Sequence, residues 1–238
     1  RCSLIVEALI IADLHCCLRV MVTTSHDAFG SIKIAPPREF TMSLTIHHAP
    51  QSRSTRLLWL LEELGADYDI HYVEIERQNG QGHADPGNPH PLKQAPALSV
   101  DGQLLIESVL IFLFLTDRFP VAKMAPGADD PRRAEYLSWL GLYNNVLESV
   151  LTSGPPDSWN TLRKAGYAAL DQRWRAAIKD GGYILGPFSA LDILFGSLLQ
   201  WFRGAMPPGE PYDSYAQRLG GRPALKRAWA KDSPEGHV

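Results

Sequence analysis

The hydrophobic pattern of the chain changes about halfway along it, and this change limits the folds that are available. Before residue 120, short stretches of alternating apolar and polar residues are interleaved with strongly apolar helical stretches. Alternation with a period of two indicates a half-buried strand, whereas apolar residues three and four apart indicate a helix. After a linker rich in Pro, Gly and Asp at residues 120–131, no strand pattern of any length appears. We therefore expect a small α/β domain followed by an all-helical domain.

The order of elements in the α/β part predicts one topology. Strand, helix, strand, strand, strand and helix are predicted in that order, over residues 44–48, 56–64, 69–75, 97–100, 103–106 and 108–119. The first three form a right-handed βαβ unit with parallel strands. Asp101-Gly102 is a two-residue hairpin signal, and residues 76–93, rich in Gly and Pro, are predicted to be a long surface loop. This order is typical of a thioredoxin-like domain.

Beyond the linker the pattern is helical only. Helices are predicted over residues 132–151, 161–179, 191–202 and 223–230. The predicted domains span residues 42–122 and 131–230. Residues 1–41 differ from the rest and end in a Pro-containing linker, so we expect a dispensable N-terminal extension, with the folded protein beginning near Met42.

Length and charge exclude several functional classes. A chain of 238 residues is long enough to bury a core without disulfides or metals. Lys and Arg total 23 against 26 for Asp and Glu, so no basic surplus favours a nucleic-acid partner. No apolar run approaches the roughly 18 residues that a membrane span needs. We expect neither nucleic acid nor membrane as a partner.

The distribution of cysteine restricts the chemistry further. The three cysteines all lie near the start of the chain, at Cys2, Cys16 and Cys17. The remainder therefore has no thiol nucleophile, disulfide or CxxC pair. Any sulfur chemistry in the body of the protein would need a sulfur that arrives with a ligand.

The histidines do not predict a metal site. His47 and His48 are expected to face opposite sides, and we interpret them as loop histidines at a strand end. His83 and His90 lie in the long loop without a matching pair of ligands. We expect no metal.

The first motif with chemical potential is Gln51-Ser52-Arg53-Ser54, between the first strand and the first helix. Ligands of α/β sheets bind at the carboxyl ends of strands, and a helix N-terminus favours an anion. A hydroxyl here would donate to a bound thiolate and lower the pKa of its thiol. The alternative is that Ser52 or Ser54 is an ordinary N-cap.

The second motif is Gln94-Ala95-Pro96, directly before the third strand. A proline at the start of a strand is a candidate for a cis peptide bond, although a trans bond is the commoner state. A cis bond would leave the backbone N–H and C=O of Ala95 available to pair with an extended peptide.

The third motif is Glu107-Ser108, at the start of the second apolar helix. A carboxylate beside a helix N-terminus suits the ammonium of a ligand, while the hydroxyl and N–H groups suit its carboxylate. Together they fit the head group of an amino acid. Ordinary helix capping is the alternative.

In this order and spacing, the three motifs resemble those of the cytosolic glutathione S-transferases. Residues 52–65 are similar to the first helix of that family, Gln94-Ala95-Pro96 to its cis-proline motif, and Glu107-Ser108 to its acidic or amide residue followed by a hydroxyl. Ser189-Ala190-Leu191-Asp192 is similar to the capping box of its helical domain, a folding element. The resemblance extends from about Met42 to Ala230.

The resemblance implies a role for each motif residue. As in the serine-type, bacterial and theta-like classes, Ser52 would donate to the glutathione thiolate, with Ser54 as the alternative if the register shifts by two. The glutathione-binding residues would be Gln94, Ala95, Pro96, Glu107 and Ser108, with the last two at the γ-glutamyl head. Lys93 or His90 would meet the glycine carboxylate. The absence of a cysteine at this motif excludes the cysteine-type classes.

The implied function is conjugation of glutathione, as co-substrate and without a metal, to small apolar electrophiles. The resemblance also implies a cytoplasmic homodimer. Two alternatives stay open: a non-catalytic protein-interaction module with the same fold, and a glutathione-dependent peroxidase or disulfide reductase.

Overall fold

A computed structural model describes residues 42–77, 79–151 and 156–234 of the chain. The predictions for the N-terminal extension, residues 1–41, lie outside the described residues. Within the described part, no helix is both long and apolar enough to cross a membrane.

The first part of the fold is a mixed four-stranded sheet with two helices. Its elements are β1 (Leu44–His48), α1 (Thr55–Leu64), β2 (Asp69–Tyr72), β3 (Ala97–Val100), β4 (Gln103–Ile106) and α2 (Ser108–Arg118). The strand order is β2-β1-β3-β4, with β1 parallel to β2 and the other pairs antiparallel. The thioredoxin-like prediction is confirmed.

The second part is helical throughout its described residues. It contains α3 (Arg133–Leu142), a π-helical turn (Tyr143–Leu147), α4 (Glu148–Leu151), α5 (Thr161–Ile178), α6 (Ala190–Trp201), α7 (Tyr212–Gly220) and α8 (Pro223–Ala230). The Ser189–Asp192 capping box is confirmed at the start of α6, because the Asp192 carboxylate accepts the backbone N–H of Ser189 and the Ser189 side chain accepts the backbone N–H of Asp192.

Helix α1 lies at the centre of the molecule. Its apolar residues at positions 57–61 are all buried, because it packs against α8, α6 and α2. It ends at Gly65, whose φ of 63° is left-handed and whose N–H donates to the carbonyl of Leu61. A central helix covered on several sides explains why its sequence is apolar almost all round.

Three elements differ from the predictions. Strand β2 ends at Tyr72, short of the predicted residue 75, and the predicted helix at residues 132–151 is interrupted by the π-helical turn. Helix α7 was not predicted, although its buried residues lie at the helical spacing of i, i+3 and i+7. Two of those three are tyrosines, which weakens an apolar pattern.

Candidate functional site

The sheet and the helical part enclose a cleft of about 970 Å³. One wall comes from the loop after β1, the loop before β3 and the start of α2. The six residues that the sequence singled out all line this cleft: Ser52, Gln94, Ala95, Pro96, Glu107 and Ser108. Residues far apart in the chain meet here because the carboxyl end of β1 lies beside the amino end of β3 in the antiparallel pair.

Ser52 is the accessible serine of the first motif. It is half-buried and lines the cleft, and its Oγ accepts the backbone N–H of Ser54 at 3.1 Å. Its carbonyl accepts the N–H of Thr55 at 3.1 Å, in the turn that starts α1. This loop thus holds a hydroxyl at the N-terminal end of a helix, where partial positive charge favours an anion.

Ser54 occupies a different environment. Its side chain is fully buried, and within the described structure it makes no capping bond to α1 although it stands at the N-cap position. Its Oγ instead lies 2.8 Å from Ser52 Oγ and 2.7 Å from Nδ1 of His48. Ser54 therefore contacts Ser52 on the side away from the cleft and does not itself line the cleft.

The second motif forms the middle of the same wall. The Ala95–Pro96 peptide bond is cis. Among the described residues, the backbone N–H and C=O of Ala95 have no hydrogen-bond partner, so both stay available to a peptide-like ligand. The carbonyl of the neighbouring Gln94 accepts the side-chain amide of Asn88 at 3.0 Å, and the Gln94 side chain is exposed.

The third motif starts α2. Glu107 has a φ of 70°, is exposed, and in the described structure does not cap the helix. The half-buried Ser108 is the first residue of the helix. A carboxylate and a helix N-terminus are thus side by side, as an amino-acid head group requires.

The two residues expected at the glycine carboxylate lie in different places. His90 lines the cleft, and burial, which outweighs the attraction of Glu107, lowers its pKa below the ordinary value. The ammonium of Lys93 instead donates to the carbonyl of Asn88 at 2.6 Å, beside the loop backbone. The structure thus brings His90, and not Lys93, to the cleft.

The opposite wall belongs to the helical part. Leu198, Trp201 and Phe202 from the end of α6 supply apolar surface, with Phe202 about half exposed. Tyr143 also lines the cleft, although it is largely a core residue. A cleft with one polar and one apolar wall suits a polar ligand that meets an apolar one.

A charged cluster joins the two walls. Glu148 accepts from the guanidinium of Arg56 at 2.8 Å, from Arg53 at 2.9 Å and from the hydroxyl of Tyr143 at 2.7 Å. Burial opposes ionisation of Glu148, but the two guanidinium groups and the hydroxyl outweigh it and lower its pKa to about 2. Arg56 is almost completely buried, and its guanidinium also donates to Tyr143.

Sequence reasoning missed two residues behind the first motif. His48, interpreted above as a loop histidine, is a buried residue of β1, and Asp232 follows α8. Nε2 of His48 lies 2.9 Å from the backbone carbonyl of Asp232 and 3.5 Å from its carboxylate. No local pattern links two positions 184 residues apart.

The described residues contain no group of three or more His, Cys, Asp or Glu side chains placed to hold a metal ion. His47 faces away from His48, toward His71 and Ser99 on the neighbouring strands. The polar groups that line the cleft include hydroxyl, carboxylate and backbone groups.

A thioredoxin-like sheet followed by helices, with a cis-proline wall facing a cleft between them, defines a class of fold that known proteins share. The family model for the N-terminal domain of glutathione S-transferase matches residues 42–117. A structure of a sphingomonad glutathione S-transferase complexed with glutathione has a TM-score of 0.62, is 24% identical, and covers 79% of this chain and 98% of its own.

Two curated relatives extend the comparison. Glutathione S-transferase GstA of Escherichia coli O157:H7 is 25% identical over 177 residues, which cover 71% of this chain and 88% of the relative. Glutathione S-transferase 3 of Schizosaccharomyces pombe is 30% identical over 97 residues, and the chain spans only 39% of its length. Residues 42–117 thus match the N-terminal domain of the glutathione S-transferase family, and the similarity to GstA extends over 71% of the chain.

Proposed function

We propose that the protein is a glutathione transferase that ionises the thiol of glutathione and joins its sulfur to a small apolar electrophile. The observation that carries this proposal is the single cleft in which a helix-end hydroxyl, open backbone groups and an acidic helix start lie side by side. These three features match the thiol, the cysteinyl backbone and the γ-glutamyl head of one tripeptide.

The roles follow from the chemistry of each group. Ser52 donates to the thiolate, Ala95 pairs its backbone with the cysteinyl unit, and Gln94 and the cis-Pro96 shape that wall. Glu107 binds the ammonium of the γ-glutamyl head, while Ser108 and the N-terminus of α2 bind its carboxylate. The apolar end of α6 receives the electrophile. Cytoplasmic localisation and a homodimer stay predictions that rest on the resemblance.

The protein raises the fraction of bound glutathione that is present as thiolate, since the thiolate and not the thiol is the nucleophile. A hydroxyl that donates only to the charged sulfur stabilises the thiolate relative to the thiol. The sulfur then attacks the electrophilic carbon, and the leaving group departs with the electron pair of its bond.

Replacing Ser52 tests the proposal. For Ser52→Ala we expect the thiol pKa of bound glutathione to rise toward its solution value, because the donor to the thiolate is lost. We also expect kcat/KM with a model aryl halide to fall about 100-fold, as when an oxyanion donor is removed. The ultraviolet absorbance of the thiolate against pH measures the first quantity, and steady-state kinetics the second.

Ser138→Ala is the matched control, because Ser138 is exposed on α3 and, among the described residues, its hydroxyl donates only to the carbonyl of Ala134. If Ser52→Ala behaves like this control, Ser52 does not serve the thiolate. A wild-type protein that neither binds glutathione nor conjugates it would instead support an interaction module. Turnover of hydroperoxides or disulfides without conjugation would support a peroxidase or reductase.

A further inference from the structure

Behind Ser52, an unbroken line of hydrogen bonds leads from the cleft into the core. Ser52 Oγ lies 2.8 Å from Ser54 Oγ, which lies 2.7 Å from Nδ1 of His48. Nε2 of His48 lies 2.9 Å from the backbone carbonyl of Asp232. Ser54, His48 and Asp232 are all buried, although Asp232 also borders the cleft, and Ser52 is the half-buried end of the line.

The carbonyl at the far end fixes the tautomer of His48. A carbonyl oxygen only accepts, so Nε2 carries a hydrogen and Nδ1 of the neutral ring is an acceptor. Ser54 Oγ lies 3.1 Å from both the backbone N–H and the carbonyl of Ala49, and the N–H donates to it. Its one hydrogen goes to the nearer acceptor, Nδ1 at 2.7 Å, and the hydroxyl of Ser52 donates to Ser54. In this state both hydroxyl hydrogens point inward, and Ser52 presents an oxygen lone pair to the cleft.

This direction conflicts with a thiolate at Ser52. The contacts from sulfur to Ser52, from Ser52 to Ser54 and from Ser54 to Nδ1 need three hydrogens. Two hydroxyls supply two, so a thiolate beside neutral His48 leaves one contact between facing lone pairs. The third hydrogen is present only if the thiol proton stays in the chain.

The geometry points to His48 as the acceptor of the glutathione thiol proton, delivered through Ser52 and Ser54; this inference rests on the function proposed above. The S–H bond breaks as its proton moves to Ser52 Oγ, while Ser52 passes its own proton to Ser54 and Ser54 passes its own to Nδ1. A thiol and a neutral imidazole become a thiolate and an imidazolium. Every hydrogen bond reverses direction, so Ser52 now donates to the sulfur.

An acidic side chain lies beside the inner nitrogen of His48. The carboxylate of Asp232 lies 3.5 Å from Nε2. Burial opposes ionisation of Asp232, but hydrogen bonds from His48, from the hydroxyl of Thr55 and from the N–H of Gln51 lower its pKa below the ordinary value. It is therefore an anion at neutral pH, and it stabilises a cation beside it.

One further titratable ring faces His48. Tyr72 packs edge-on at 5.7 Å between centroids, and its hydroxyl donates to the carbonyl of Lys231. Burial and the nearby Asp232 raise the pKa of Tyr72, so the ring stays neutral. After the sulfur has bonded to the electrophile, no anion remains at Ser52, and the imidazolium returns its proton along the chain to solvent as the product leaves.

Counting protons distinguishes this route from direct loss of the thiol proton to water. Glutathione is bound near neutral pH, the thiolate is measured by its ultraviolet absorbance, and released protons by calorimetry in buffers of different ionisation enthalpy. For the wild-type protein we expect thiolate with close to zero protons released. Release of one proton per thiolate would overturn the inference.

His48→Gln removes the acceptor but keeps an N–H that can reach Asp232. We expect this variant to lose about 100-fold in kcat/KM, as general-base losses do, and to release one proton for each thiolate it still forms. His47→Gln is the matched control, because the same change on the adjacent residue lies on the opposite side of β1, against His71 and Ser99. Equal proton balance and rate in the two variants would contradict the proposal.

Ser54→Ala provides a second route to the same test if His48→Gln does not fold. It leaves His48 and Ser52 in place and removes the link between them, so we expect the same proton balance as in His48→Gln. Wild-type proton retention in Ser54→Ala would overturn the relay. If the wild-type protein forms no thiolate with glutathione, the proposed function fails; if it forms thiolate and releases the proton, only this inference fails.

Discussion

Glu107 has a backbone conformation that residues other than glycine seldom adopt. Its φ of 70° lies in the left-handed region, and such outliers are concentrated at functional sites. This conformation directs the start of α2 while the carboxylate stays exposed at the cleft. The unusual backbone therefore supports a ligand-binding role for Glu107 over a capping role.

The charge of Glu107 can be tested apart from its backbone. Glu107→Gln keeps the side-chain shape but removes the charge that pairs with a ligand ammonium. We expect the Kd for glutathione to rise about fivefold, since a charge-assisted hydrogen bond becomes a neutral one at an exposed site. Isothermal titration calorimetry measures the change.

Two comparisons isolate the ammonium contact. Glu74→Gln removes the same charge from an exposed position outside the cleft lining and should leave the Kd unchanged. A glutathione analogue that lacks the α-ammonium should bind wild type and Glu107→Gln equally. If the analogue still distinguishes them, Glu107 acts on another part of the ligand.

The site residues that can be predicted from the sequence are those whose signal lies in a short local stretch. The motif residues lie in short stretches, and Ser52, Gln94, Ala95, Pro96, Glu107 and Ser108 line one cleft. The roles of Ser52 and Ser54 could not be separated, because the difference lies in burial and in a histidine behind them. His48 gave no signal of its own, since its partner Asp232 reaches it only through the packing of the segment after α8.

At the scale of elements, a glycine governs the crossing of α6 and α7. A Cβ added at Gly196 would overlap Cδ1 of Leu219 and approach Tyr215, both of which are fully buried. Gly196→Ala should therefore destabilise the fold by about 1–3 kcal/mol, because overpacking exceeds the gain in helix propensity. Urea unfolding measures the free energy.

Gly141 in α3 is the matched position, because a Cβ there meets nothing within 4 Å. Gly141→Ala should stabilise the protein by about 0.5–1 kcal/mol through helix propensity alone. Opposite signs for two identical substitutions in helices would identify close packing as the cause. Equal effects at both positions would show that Leu219 moves aside.

Some of the helices and strands can be predicted from hydrophobic periodicity, and others cannot. Hydrophobic periodicity predicts β1, β3 and the central helix because each of them buries apolar residues. Strands β2 and β4 are only partly buried, and the Asp101-Gly102 turn adds the signal for β4. Hydrophobic periodicity predicts one continuous helix across Tyr143, where the structure has a π-helical turn. In that turn Tyr143 contacts Glu148 and Arg56. Arg56 belongs to α1, so the sequence around Tyr143 alone cannot predict this contact.

At the scale of the whole molecule, the charged cluster around Glu148 fastens α1 to the helical part. Arg56 is buried, so its charge is compensated chiefly by this carboxylate and by the ring of Tyr143, 5.6 Å from the guanidinium. An isolated buried charge is far more costly than a paired one, and breaking such a pair costs about 3–5 kcal/mol. Protonation of Glu148 therefore removes the counter-charge of the buried Arg56 where α1 meets the helical part.

The loss of this counter-charge predicts how stability changes with pH. The pKa of Glu148 is about 2 in the folded protein, below its ordinary value of 4.5, so the unfolded chain binds the proton first as pH falls. The stabilisation from Glu148 is complete above about pH 4.5 and is lost as the pH drops toward 2. The difference in unfolding free energy between wild type and Glu148→Gln should shrink across that window by on the order of 3 kcal/mol. Glu135→Gln breaks a half-exposed surface pair with Arg173 and keeps an oxygen that can accept from the indole N–H of Trp139, so it should give a nearly constant difference from wild type. Urea titrations of all three proteins at a series of acidic pH values measure these differences, and a curve for Glu148→Gln parallel to that for Glu135→Gln would show that the cluster does not hold the two parts together.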